Sequence, residues 1–146
     1  MADKIIRIHW SDPLPLDEAI ASNISDIQGL YYITRVFGKK ETSLYLGIAT
    51  RENTVRHRLQ GHKVNWVHLY RGRKYVRIGQ IVHPRDYDAK IIDHAESAIL
   101  YDPYHKKLFD ENISKRNSYS YEELYRVENT GNFFELKPVI RMKEQE

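Results

Sequence analysis

Two runs rich in tyrosine and β-branched residues, at positions 30–37 and 43–48, flank the segment Gly38-Lys39-Lys40-Glu41, and no other feature constrains the fold as much. Aromatic and β-branched side chains suit a half-buried pleated surface. A glycine-containing turn between two such runs predicts an antiparallel β-hairpin. Around the hairpin, residues 5–10 and 74–83 read as strands, the second stopped by Pro84. Residues 17–23 have room for two helical turns. Thr50 offers an N-cap to a helix running to about His62, with Glu52 in the first turn, where the helix dipole favours an acid. Asp86 or Asp88 caps a second helix through about Tyr101, and Pro103 stops it. Asn129-Thr130-Gly131-Asn132 then predicts a terminal hairpin between residues 124–128 and 133–140. The order is that of an α+β fold, a small antiparallel sheet with flanking helices. A chain of 146 residues suits one domain with one hydrophobic core.

Composition narrows the chemistry. Apolar residues make up 41% and charged residues 29%, the balance of a globular rather than a disordered chain. The absence of cysteine removes disulfides, thiolate metal sites and a cysteine nucleophile, and fits a reducing compartment. No apolar run approaches the roughly 20 residues that span a bilayer. Residues 1–10 alternate charge with isoleucine instead of forming the apolar core of a signal peptide. A cytoplasmic protein without membrane contact is the expectation. The net charge of +3 is small, but Arg71, Arg73, Lys74 and Arg77 form one basic cluster and Lys106, Lys107, Lys115 and Arg116 another. Such patches either meet a phosphate backbone or are solvated loops.

Helix phase sharpens two candidates. At about 100° per residue, Val55, Arg58, Leu59 and His62 share one face of the first long helix, while Arg56 and His57 point elsewhere. On the second, Ile92, Glu96, Ile99 and Leu100 share a face. A carboxylate in an apolar stripe must pair with a cation, bind a metal or stay protonated, because an unpaired buried charge is very costly. A structural Arg58–Glu96 pair and a metal-binding Glu96 are both open on this reading. The seven histidines include no H-x-x-x-H pair of the zinc type, which argues against a histidine-rich zinc site. Any one of the eleven tyrosines is most simply strand packing. Tyr31 and Tyr45 stand out by their flanking glycines, and Tyr32 is expected on the opposite side of the sheet.

Gly29-Leu30-Tyr31 and Tyr45-Leu46-Gly47 on the hairpin, Arg58-Leu59-x-x-His62, Glu96 with Ile99 and Leu100, and Asn112 in Phe109-Asp110-Glu111-Asn112 follow one another along the chain. In that order they resemble the motifs of the GIY-YIG nuclease superfamily, with leucine replacing isoleucine in both halves of the hairpin motif. The stretch between Gly47 and Arg58 is a few residues longer than the commonest form, so Arg56 competes with Arg58, and Asn117 competes with Asn112. The resemblance implies a stand-alone catalytic core over about residues 27–117, followed within the single domain 1–146 by a C-terminal hairpin extension over about residues 118–146.

The function it implies is an endonuclease that hydrolyses DNA phosphodiester bonds with one divalent ion, Mg²⁺ or Mn²⁺. Glu96 would hold the metal, and Arg58 would bind the scissile phosphate through its planar fork. One of Tyr31 and Tyr45 would be the general base and the other would orient the water. His62 would assist the tyrosine or touch phosphate, and Asn112 would brace the site. A phenol with pKa near ~10 needs a nearby cation to lower it, and Arg58, His62 or Lys63 is expected to supply one. Lys63, Arg71, Arg73, Lys74, Lys106, Lys107, Lys115 and Arg116 are the candidates for flanking phosphates, with DNA as the expected partner and RNA left open. The alternatives are a catalytically inactive nucleic-acid-binding module of the same fold, and a protein-interaction domain that uses its tyrosines and arginines as a partner surface. Nothing resembles a helix-turn-helix or a zinc finger, so specificity would lie in insertions and termini, in a homodimer or in another partner.

Overall fold

Gly38 adopts φ +66°, the left-handed conformation that glycine enters without steric cost. It thereby reverses the chain in two residues, so that Phe37 pairs directly with Lys40. This turn joins β3 (Gly29–Phe37) to β4 (Lys40–Ala49), the hairpin expected from the sequence. The structure is a computed structural model that describes residues 4–109 and 125–141. Within these residues the chain also forms β1 (Lys4–Trp10), β2 (Leu14–Pro15), α1 (Leu16–Ala21), α2 (Val55–Asn65), β5 (Arg73–His83), α3 (Ala89–Tyr101), β6 (Tyr125–Gly131) and β7 (Val139–Arg141).

Seven strands make one sheet in the order β4-β3-β5-β1-β6-β7, with β2 beside β5. Its two faces are sorted by strand alternation. Leu30, Tyr32 and Leu46 point to one side, where Ile92, Ala95, Ile99 and Leu100 of α3 cover them together with Ile6, Ile8, Trp10 and Val127. Tyr31, Ile33, Val76 and Ile78 point to the other, under Leu16 and Ala19 of α1 and Val55 and Leu59 of α2. Each fully buried large apolar side chain here stabilises the fold by about 1.5–3 kcal/mol. None of the helices in the described residues is long and apolar enough to cross a membrane.

The α+β class stands, but three expectations are corrected. The sheet is not purely antiparallel, because β1 runs parallel to β6, from Lys4 beside Tyr125 to Trp10 beside Gly131. A parallel pair needs a long crossover, and alternation within each strand carries no information about so remote a neighbour. The expected C-terminal hairpin does have two antiparallel strands, β6 and β7, yet it does not turn at residues 129–132. Asn129 is a buried strand residue whose Oδ1 accepts from Trp10 Nε1 at 2.8 Å and whose Nδ2 donates to the Lys137 carbonyl at 2.9 Å. Finally, α2 starts after Thr54 instead of Thr50. Thr54 Oγ1 accepts from the His57 amide at 3.3 Å, while Arg51, at φ +60°, belongs to the preceding turn.

Arg77 also departs from the solvated basic cluster in which the sequence groups it. It is 3% exposed, its Nη1 lies 2.7 Å from Glu41 Oε2, and its guanidinium stands 4.7 Å from the centre of the Phe134 ring. Its Nε donates to Asn132 Oδ1 at 3.0 Å. One side chain thus ties β5 to β4 and to the segment after β6. Glu41→Gln should strand this buried cation. Because Glu41 itself is 26% exposed, the expected loss is about 2–3 kcal/mol, below the roughly 3–5 of a fully buried pair. Denaturant unfolding checks it, and an unchanged midpoint would contradict it.

Candidate active site

The register of the hairpin sets Tyr31 opposite Gly47 and Ile33 opposite Tyr45. Both tyrosines therefore share the α2 face of the sheet, and Tyr32 faces away, as expected. Pairing shifts between Ile33 and Thr34, which leaves Leu44 as an extra residue on β4. Such a bulge re-aims side chains, and Leu44 and Tyr45 both pack on this one face. Glycine at position 47 is a steric requirement. A Cβ there would lie 2.4 Å from both Cζ and the hydroxyl of Tyr31 and 2.6 Å from Cε1 of Tyr45. With no side chain in the way, the two phenol rings stack at 6.1 Å between centres, 27° from parallel.

Helix α2 delivers the basic partners. Val55 and Leu59 are buried and anchor it to the sheet, and the turn between them and the next brings Arg58 and His62 to the phenols. The positive charge of Arg58 acts on both hydroxyls. His62 Nε2 lies 2.7 Å from the Tyr31 hydroxyl, and His62 Nδ1 accepts from Trp66 Nε1 at 2.8 Å. Arg56 faces elsewhere. It donates to the carbonyls of Ile20 and Ser22 at 2.7 and 2.8 Å and pairs with Asp26 at 2.6 Å, pinning α2 to the end of α1. Glu96 is 7% exposed on α3, the helix on the other face. From there, where α3 packs against the edge strand β4, its charge is felt at Tyr31, Tyr45 and Arg58.

The electrostatics reverse one expectation. Burial pushes the Tyr31 phenol well above its ordinary value, with the charges of Tyr45 and Glu96 adding to the shift and Arg58 opposing it. Tyr45 is raised as well, first by burial and then by Glu96. The cation expected to lower a catalytic phenol is present, but desolvation outweighs it. Arg58 is in turn raised, foremost by Tyr31. Burial, followed by Arg58, lowers His62 to about 4, so it is neutral at physiological pH and supplies no positive charge.

The remaining candidates are dispersed. Lys63 pairs with Asp17, both of them exposed, a contact of little stabilising value. Arg71 and Arg73 are exposed. Lys74 instead turns its ammonium to the carbonyls of Tyr70 and Gly72, and burial followed by Arg35 lowers it. Lys107 is exposed, and Lys106 lies in a short 3₁₀ turn, His105–Lys107. Asn112, Asn117, Lys115 and Arg116 fall outside the described residues. Among the described residues no group of three or more His, Cys, Asp or Glu could hold a metal ion. Trp66 is the site residue that the sequence reading missed. Its signal was the spacing His62-x-x-x-Trp66, which stacks two side chains on successive turns of a helix. Compared with protein-family models, curated proteins and solved structures, the chain matches none.

His62 gives the site a pH signature. Its neutral form is favoured in the fold, so the unfolded chain takes up the proton first as pH falls from the ordinary 6.5 toward about 4. The stability it contributes is complete above that window and is lost on descending through it. His62→Gln should therefore lose less stability than the wild type between pH 6.5 and pH 4. Denaturant melts at stepped pH measure the difference, and His105, lowered by its own burial, titrates alike in both proteins. Parallel curves would mean that His62 is not held neutral.

Proposed function

We propose that this chain is a divalent-metal-dependent endonuclease that hydrolyses phosphodiester bonds of DNA, built on the GIY-YIG plan that its motifs resemble. The observation that carries the reading is one pair of stacked phenols with His62 against them, on which the charges of Arg58 and Glu96, from helices on opposite faces of the sheet, both act. Phosphodiester hydrolysis needs charge neutralisation on the phosphate, an oriented water and help for the departing oxygen. Arg58 is the phosphate ligand, since its guanidinium matches two phosphate oxygens. The half-buried Tyr45 meets the water or phosphate, and the fully buried Tyr31 fixes the position of Tyr45.

Glu96 is the residue that would hold Mg²⁺ or Mn²⁺. A lone carboxylate suits a hard ion that keeps most of its waters and takes its other ligands from phosphate. When bound, that ion supplies Lewis-acid stabilisation of the phosphate and leaving oxygen. Both phenols are raised by burial and by Glu96, so they enter the site protonated and act first as hydrogen-bond donors. The same observation favours one other reading, an inactive binding module in which the phenols only hold a phosphate. The exposed Arg71, Arg73 and Lys107 are the flanking phosphate contacts on either reading.

Mg²⁺-dependent nicking of supercoiled plasmid separates the two. The wild type should nick only with the metal present. Arg58→Ala and Glu96→Gln should each lower kcat by about 10³-fold, and Tyr31→Phe and Tyr45→Phe by about 10²-fold. Arg56→Ala should melt earlier yet keep its rate. Retention of DNA by a wild type that never nicks it would establish the binding module instead.

A further inference from the structure

We infer that Trp66 is a positioning residue whose indole N–H, bonded to His62 Nδ1, fixes His62 as a hydrogen donor to Tyr31 and so sets the direction in which the Tyr31 hydroxyl offers its own hydrogen. Its consequence for catalysis rests on the nuclease reading, but the direction of the hydrogen bonds does not. An indole nitrogen can only donate, so the 2.8 Å contact from Trp66 requires a lone pair on His62 Nδ1. A neutral imidazole then carries its one hydrogen on Nε2, and the 2.7 Å contact to Tyr31 is a bond donated to the phenol oxygen. A phenol has one hydrogen, so with its oxygen accepting from His62, Tyr31 must point that hydrogen away from the imidazole. Its ring stacks on that of Tyr45 at 6.1 Å between centres.

Trp66 is held firmly enough to impose this order. Its amide donates to the His62 carbonyl at 3.0 Å, and its ring lies 5.3 Å from Tyr45 and 5.8 Å from Tyr70 between centres. Without the indole N–H, the other tautomer of His62 becomes accessible. Nε2 then accepts from Tyr31, the bond reverses, and the Tyr31 hydrogen turns to the imidazole.

The test is ¹⁵N NMR of the His62 ring in the full chain, with Trp66→Phe, which keeps the ring contacts, as the variant. The wild type should show an unprotonated Nδ1 and a protonated Nε2, and Trp66→Phe should show a mixture of tautomers. Where the wild type nicks DNA, the variant should also lose about 10-fold or more in kcat with KM unchanged. A wild-type His62 protonated at Nδ1 overturns the inference whether or not the variant folds. So does an unchanged tautomer in Trp66→Phe, or a relaxed tautomer with full kcat. A wild type that never nicks DNA refutes the nuclease reading, and the two spectra still decide whether Trp66 sets the direction of the His62–Tyr31 bond.

Discussion

Tyr31 lies across the bare backbone of Gly47, with its hydroxyl 2.4 Å from where a Cβ would stand. That approach is possible only because the hairpin register places the two residues opposite each other. Most of the site depends on it. Slipping β4 by one residue against β3 would turn Tyr45 to the α3 side and away from Tyr31, to the face where Tyr32 packs against Trp10 and Phe109. The bulge at Leu44 brings Tyr45 to the stack, and α2 is placed where His62 meets both rings, 5.6 Å from Tyr31 and 4.9 Å from Tyr45 between centres. Changing any one of these without the others leaves a void or a clash, since interiors this dense do not deform continuously.

Burial governs the chemistry of this cluster as much as charge does. The same desolvation that keeps the phenols protonated keeps His62 neutral. Arg58, which extends toward solvent, is the strong cation of the group. The arrangement has one fixed positive charge, a set of neutral donors and acceptors around it, and one carboxylate acting from the far helix. Neutral groups in a sheltered place hold their orientations through their own hydrogen bonds, which is why the contact of Trp66 with His62 can reach Tyr31.

The hairpin, the phase of α2 and the acid within the α3 stripe were legible in the sequence because each is set by local periodicity. Arg58 and Arg56 separate by phase in the same way: one meets the phenols and the other holds the end of α1. Three things were not legible. The β1–β6 pairing joins the two ends of the described chain, and no local pattern encodes a partner that remote. Arg77 looked like its basic neighbours because strand alternation puts it on the same face as Arg73, and only the remote Glu41 and Phe134 that cover it set it apart. The upward shift of the phenols depends on how deeply they are buried, which follows from packing by α2 and not from which cations lie nearby in sequence.

The two readings of the site part at Glu96. Its charge opposes ionisation of both phenols, and Arg58 opposes it in turn, leaving one cation near one anion. A phosphodiester brings a further negative charge, so on the binding reading Arg58 alone must offset it and Glu96 works against affinity. On the nuclease reading that repulsion is the reason a divalent cation belongs there. With its charge balanced, Glu96 no longer raises the phenols, while Arg58 still lowers them. Metal affinity and phenol acidity would then be linked, each favouring the other by the same free energy.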